Sequence, residues 1–262
     1  MGLMDLGDVR LNVEVSGNPA GPALVFANSL GTDLRLWEPV LPLLPPELRI
    51  IRFDKRGHGL SEISNAPYKM GTLVRDAERI LDGLGVRDAL FVGLSIGGLI
   101  AQGLAAKRLD QVRAVVLSNT AAKIGTRDMW DQRVAVARAE GLAPMADASM
   151  ERWFSSGFQA SDEIGYWRQM FMDTSLEGYC GCCVAIAGAD FISPTSGLRL
   201  PVLGIAGSED GSTPPDLVRE TTDLVPGSKF ALIRGGGHLP HVEKPEDYAR
   251  LLTGFMQETG HI

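Results

Sequence analysis

Leu90-Phe91-Val92-Gly93-Leu94-Ser95-Ile96-Gly97-Gly98 is the stretch on which the fold turns. It opens as a short apolar, β-prone run, which reads as a buried strand. Glycines then flank a serine, and Leu99 to Lys107 continues as a helix. This is a G-x-S-x-G pattern in strand–turn–helix context. A serine hydroxyl that protrudes from a sharp turn needs a strained backbone and small neighbours. Gly93 and Gly97 let adjacent segments approach, and Gly98 lets the helix pack close. The helix start below Ser95 leaves unpaired N–H groups for a developing oxyanion. Ser95 is therefore the candidate nucleophile.

Working outward, strands and helices alternate on both sides of this turn. Strands are expected over Val9 to Val15, Ala23 to Ala27, Leu48 to Phe53, Val112 to Leu117, Pro201 to Ala206 and Lys229 to Ile233. Helices are expected over Leu36 to Leu44 with an interruption near Pro42, from a Thr72 cap to Gly85, and over Pro215 to Leu224 and Glu246 to Glu258. Such alternation implies an α/β fold with a mostly parallel sheet flanked by helices. Between Thr120 and Ser193 the strands stop. Four helices fit there: Arg127 to Glu140, Ala143 to Ser155, Asp162 to Met172 and Leu176 to Ile186. The expected organisation is a core of residues 1–119 and 194–262 with an all-helical lid at 120–193.

The 262 residues suffice for one large domain with an insertion. A formal net charge of −7 and the lack of a basic run argue against a nucleic-acid partner. No signal peptide or transmembrane span is visible, so the expectation is a soluble cytoplasmic protein with no membrane partner. Cys180, Cys182 and Cys183 cluster without a nearby histidine or a second cysteine pair. They read as small buried thiols in a helix rather than as disulfides or metal ligands.

A serine nucleophile needs a base, and the base needs an acid to orient it. Of four histidines, His238 follows Gly235-Gly236-Gly237 just past the last expected strand. That places it at the sheet edge where Ser95 also sits. His241 is the reserve. His58 reads as a turn residue bonded to backbone, and His261 as a mobile terminus. The acid is Asp210, with Glu209 in reserve, in the polar loop after Pro201 to Ala206. Ser118-Asn119, at the end of the preceding strand, offers no competing carboxylate. Ser95, Asp210 and His238 thus occur in the order Ser…Asp…His, each after a strand. For the oxyanion, the Ile96 N–H is one donor and the Leu30 N–H the other, with Ser29 in reserve.

On these residues the chain resembles the α/β-hydrolase superfamily over nearly its whole length. The resemblance is carried by Phe26-Ala27-Asn28-Ser29-Leu30-Gly31, Asp54-Lys55-Arg56-Gly57-His58-Gly59, Gly93 to Gly98, Asp210 before Thr213-Pro214-Pro215, and Gly237-His238. Asn28-Ser29 stands where many members carry His-Gly. The lid is more specific: Asn119-Thr120-Ala121-Ala122-Lys123-Ile124-Gly125, Trp130, Arg133, Glu151-Arg152-Trp153-Phe154, Thr174-Ser175 and Gly178-Tyr179-Cys180-Gly181-Cys182-Cys183. It looks like that of the 3-oxoadipate enol-lactonases, enzymes of aromatic-acid catabolism through the β-ketoadipate pathway.

The resemblance implies hydrolysis of a small lactone that carries a free carboxylate, with no metal or organic cofactor. Arg133 and Arg152 are candidate carboxylate partners, because guanidinium and carboxylate pair in two parallel bonds. Each could equally be a surface charge. Trp130 and Trp153 are candidate pocket walls, or packing within the lid. A general carboxylesterase, a carbon–carbon bond hydrolase, a perhydrolase and a non-catalytic binding protein all remain open on the same fold. A serine at position 95 argues against mechanisms that need a carboxylate nucleophile in this turn.

Overall fold

The structure, a computed structural model, describes residues 2–65 and 67–262. Eight strands form one sheet in the order β1-β2-β4-β3-β5-β6-β7-β8. They are β1 (Gly2–Asp5), β2 (Arg10–Gly17), β3 (Ala23–Ala27), β4 (Arg49–Phe53), β5 (Ala89–Leu94), β6 (Val112–Ser118), β7 (Val202–Gly207) and β8 (Lys229–Ile233). β1 and β2 pair antiparallel, as do β2 and β4, and the remaining strands run parallel. β3, β5 and β7 are buried at every residue, as expected of parallel strands covered on both faces. Each fully buried Leu or Val contributes about 1.5–3 kcal/mol of transfer free energy. These continuous apolar runs form the centre of a core that the helices on both faces complete. The edge strand β8 is part exposed.

The helices are α1 (Met70–Gly83), α2 (Ile96–Lys107), α3 (Arg127–Glu140), α4 (Ala143–Trp153), α5 (Ser156–Gln159), α6 (Ile164–Met172), α7 (Leu176–Ala187), α8 (Ile192–Ser196), α9 (Pro215–Asp223), α10 (Pro240–Glu243) and α11 (Pro245–Glu258). α1 buries Leu73, Val74, Ala77, Ile80 and Leu81, one stripe at helical spacing. α2 is apolar nearly all round and buried to match. Between β6 and β7 the chain is helical, without a strand. Side-chain caps fix three of those helix starts: Thr126, Ser155 and Ser175 accept the N–H groups of Met129, Phe158 and Gly178.

Four details depart from the sequence expectation. α1 begins at Met70, not after a Thr72 cap; its N-cap is Lys69, without a side-chain cap bond, and burial of Met70 anchors the first turn instead. The single helix expected over Leu36 to Leu44 is two short 3₁₀ turns, Leu34–Trp37 and Leu41–Leu43. Asp33 caps the first, and Pro42 opens the second, where it has no N–H to lose. β1 has no counterpart in the sequence expectation, because three exposed residues and the half-buried Met4 carry no apolar alternation. His261 is not a mobile end: it is buried, and its N–H bonds the Met256 carbonyl at 2.8 Å.

Candidate active site

The sheet order brings five loops side by side at the carboxyl ends of β3, β5, β6, β7 and β8. They carry, in that order, Leu30, Ser95, Asn119, Asp210 and His238. Ser95 follows β5 and caps α2 with φ 57° and ψ −119°, a conformation outside the regions that L-residues ordinarily occupy. The glycines around it are steric requirements. A Cβ at Gly93 would overlap the Gly97 carbonyl, one at Gly97 the Ala27 carbonyl, and one at Gly98 the Thr120 side chain. The Thr120 hydroxyl in turn donates to the Ser95 carbonyl at 2.6 Å.

Asp210 and His238 are both buried, and His238 Nδ1 lies 2.9 Å from Asp210 Oδ2. The carboxylate also accepts from Ser212 N at 2.7 Å, Thr213 N at 3.0 Å, Thr213 Oγ1 at 2.9 Å and Asn119 Nδ2 at 2.8 Å. Burial works to raise the Asp210 carboxyl. The His238 ring and the Asn119 and Thr213 donors outweigh burial and hold it below the ordinary carboxylate value. An ionised Asp210 requires the proton on His238 Nδ1, which leaves Nε2 as the basic nitrogen. The His238 loop is fixed from the helical segment: its N–H donates to the Trp153 carbonyl at 2.7 Å, and Glu243 accepts from Gly237 N at 2.6 Å and from Ser155 N at 3.0 Å. His238 Nε2 lies 3.5 Å from the Ser29 hydroxyl. The Ser95 hydroxyl forms no hydrogen bond among the described residues, so a bond to His238 is one that a reaction would have to make.

Ile96 is the first residue of α2, where an N–H has no acceptor within the helix. The Leu30 N–H also meets no acceptor among the described residues, whereas the next one, of Gly31, donates to His58 Nε2 at 3.1 Å. Burial, with Lys55 adding to it, pushes His58 well below the usual histidine range, so it stays a neutral acceptor. Phe171 and Trp153 of the helical segment lie over Gly31, with ring centroids 5.6 Å apart.

The remaining sequence candidates divide. The Arg152 carbonyl accepts from Gly211 N at 3.1 Å, beside Asp210. Arg133 Nε donates to Tyr179 Oη at 2.6 Å, and both arginines reach the Ser149 hydroxyl at 3.4 Å. Burial, and then the charge of Arg133, lowers the Arg152 pKa. Elsewhere in the segment Arg138 pairs with Glu177 and Arg168 with Asp147; Arg133 and Arg152 pair with no carboxylate among the described residues. Trp130 packs at Gly125 and donates to the Ile124 carbonyl at 2.6 Å. The reserve base His241 stacks on Trp37 with centroids 4.4 Å apart, and burial pushes its pKa to about 3. Of the other reserves, Glu209 accepts the Ser156 N–H at 3.3 Å. The three cysteines are buried and free.

Sequence reasoning missed Asn119. It sits at φ 45° between the Ser95 and Asp210 loops, donating to Asp210 and, at 3.2 Å, to the Gly237 carbonyl. Its place at the end of the strand between those of the candidate nucleophile and the candidate acid is the signal available, one of topology and not of local pattern.

Similarity to known proteins follows the same pattern. Residues 22–245 match the family model of the alpha/beta hydrolase fold. The chain is 33% identical over 252 residues to 3-oxoadipate enol-lactonase 2 of Acinetobacter baylyi, covering 95% of this chain and 94% of that protein. It is 34% identical over 250 residues to enol-lactonase 1 of the same organism, covering 94% and 93%. The crystal structure of the enol-lactonase from Burkholderia xenovorans superimposes with a TM-score of 0.94 at 33% identity, over 98% of this chain and all of that one. With this sheet, this strand–turn–helix at Ser95 and this match across most of its length, the chain belongs to the alpha/beta hydrolase fold family.

Proposed function

We propose that this protein is a serine hydrolase that opens a small enol-lactone bearing a free carboxylate, 3-oxoadipate enol-lactone by analogy with the relatives' names. The observation that carries the substrate class is the pair Arg133 and Arg152, two half-buried arginines that meet at the Ser149 hydroxyl and have no carboxylate partner among the described residues, with the Arg152 backbone against the Asp210 loop. Two unneutralised cations in one partly dry place favour an anionic ligand. Residues 120–193 act as the lid over the core, and Trp153 forms a pocket wall with Phe171. Trp130, bonded to its own loop, supports the lid.

In this reading His238 Nε2 takes the proton of Ser95 Oγ as the oxygen attacks the lactone carbonyl. The Leu30 and Ile96 N–H groups hold the oxyanion. The tetrahedral intermediate collapses by breaking the ring C–O bond. The leaving oxygen departs as an enolate, His238 gives it the proton taken from Ser95 and so returns to its neutral form, and the enol tautomerises to the ketone. His238 then removes a proton from water, which attacks the acyl-enzyme and returns Ser95. The product carries a second carboxylate. Asp210 stays ionised and keeps His238 in its Nδ1–H tautomer.

A spectrophotometric comparison of the enol-lactone with p-nitrophenyl esters tests this. A higher kcat/KM on the lactone is expected. Preference for the neutral esters would make the protein a general carboxylesterase, and inactivity on both would make it a binding protein.

A further inference from the structure

Lys55 follows β4 and is almost wholly buried, yet it pairs with no carboxylate among the described residues. Its Nζ donates to the Ser29 carbonyl at 2.7 Å and the Asn28 carbonyl at 3.2 Å. The adjacent Asp54 is engaged elsewhere, by Leu34 N at 2.6 Å, Asn12 Nδ2 at 2.8 Å and Leu60 N at 3.1 Å. A buried ammonium without a counter-ion is costly, and a purely structural role would be met by a neutral donor.

The location suggests what the charge does. In a trans peptide the C=O and N–H point in opposite directions. β3 lies between β4 and β5 in the sheet. Lys55, on the β4 side, draws the Ser29 carbonyl toward itself, and the Thr32 hydroxyl holds the same oxygen at 2.9 Å. The N–H of that peptide belongs to Leu30, and it is turned to the β5 side, where Ser95 stands. We propose that Lys55 is a positioning residue for the oxyanion hole, pinning the Asn28 and Ser29 carbonyls so that a polarised Leu30 N–H faces the Ser95 adduct. This rests on the serine-hydrolase reading above.

The role predicts an alkaline limb. Burial pushes the Lys55 pKa down to about 8, against the weaker pull of Cys182 on α7 and of Asp54 and Asp33 on the two neighbouring loops; His58 is the other titratable group beside it. Loss of its proton would slacken the loop and remove the polarising charge.

The experiment measures two rates, in wild type and in Lys55→Met, from pH 6 to 10. One is phosphonylation of Ser95 by a fluorophosphonate; the other is turnover of p-nitrophenyl acetate. The expected result at pH 7 is a fall of about 10- to 100-fold in kcat and in labelling rate, short of the loss of a whole oxyanion donor. KM should change little, and the alkaline limb should be present in wild type and absent from the variant. A folded Lys55→Met with wild-type kcat, or with its alkaline limb intact, would overturn the proposal. If the variant does not fold, ¹⁵N NMR of wild type decides: the Leu30 amide must titrate with the Lys55 Nζ midpoint, and a flat Leu30 amide overturns the proposal. Failure of the fluorophosphonate to label wild-type Ser95 would instead refute the serine-hydrolase reading beneath it.

Discussion

Replacing Asn119 by glycine removes a side chain that ties Asp210 to the His238 loop. The variant loses a hydrogen bond to the buried Asp210 carboxylate at 2.8 Å, of a kind that contributes about 1.5–3 kcal/mol. It also loses two neutral bonds, to the Gly237 carbonyl at 3.2 Å and from the Ser118 hydroxyl at 3.1 Å, about 0.5–1.5 kcal/mol each. Glycine adopts φ 45° without strain, which offsets about 1 kcal/mol. The expected net loss of stability is therefore about 1.5–5 kcal/mol. Asn119→Ala loses the same bonds and keeps the strained φ, so it should be less stable than the glycine variant by about 1 kcal/mol. Asp210 keeps Ser212 N and both donors of Thr213, so it remains ionised at neutral pH. What it loses is one of the two donors that converge with His238 on Oδ2. That loosened aim should lower kcat about 10- to 100-fold with KM nearly unchanged, a part of what positioned acid–base catalysis contributes. The pH response has a definite sign. A carboxyl held below its ordinary value adds stability above that value, and the stability is lost as pH falls through the folded pKa. Without Asn119 the folded pKa rises, so the acid-side loss should begin at higher pH. Urea unfolding across pH and steady-state kinetics on p-nitrophenyl acetate provide the measurements. A glycine variant with kcat within about twofold of wild type would refute the positioning argument. Equal stability of the glycine and alanine variants would refute the strain argument.

Three further outcomes are expected. Ser95→Ala should lower kcat on the order of 10⁴-fold or more with the fold intact, and His238→Ala should be far more damaging than His241→Ala in the same ester assay. Arg133→Ala should weaken kcat/KM on the carboxylate-bearing lactone by about 1.5–3 kcal/mol while sparing a small neutral ester; equal losses on both substrates would make the arginine a support for the lid. His241, buried with its pKa pushed to about 3, refuses a proton that the unfolded chain accepts below the ordinary histidine value. Stability should therefore fall as pH drops from about 6.5 toward 3, and His241→Phe should flatten that slope in acid-unfolding curves.

The sequence by itself determined whatever is written in local period and local sterics. The apolar runs that became β3, β5 and β7 are legible because strands buried on both faces leave no room for polar residues. The Ser95 turn is legible because each glycine around it answers to a specific overlap. That Ser95, Asp210 and His238 fall on one edge is legible in chain order, because the ends of parallel strands share that edge. Only the tertiary structure decided which loops became neighbours. The order β4-β3-β5-β6-β7-β8 sets Asn119 against Asp210, and Lys55 behind the loop that carries Leu30. Neither residue carries a local signal, since an amide after one strand and a lysine after another are ordinary loop residues until their partners arrive. The same holds for Arg133 and Arg152: nothing in helical spacing says whether an acid will meet them. Periodicity fixes which face of an element is buried, whereas pairing between distant loops depends on how the elements stack.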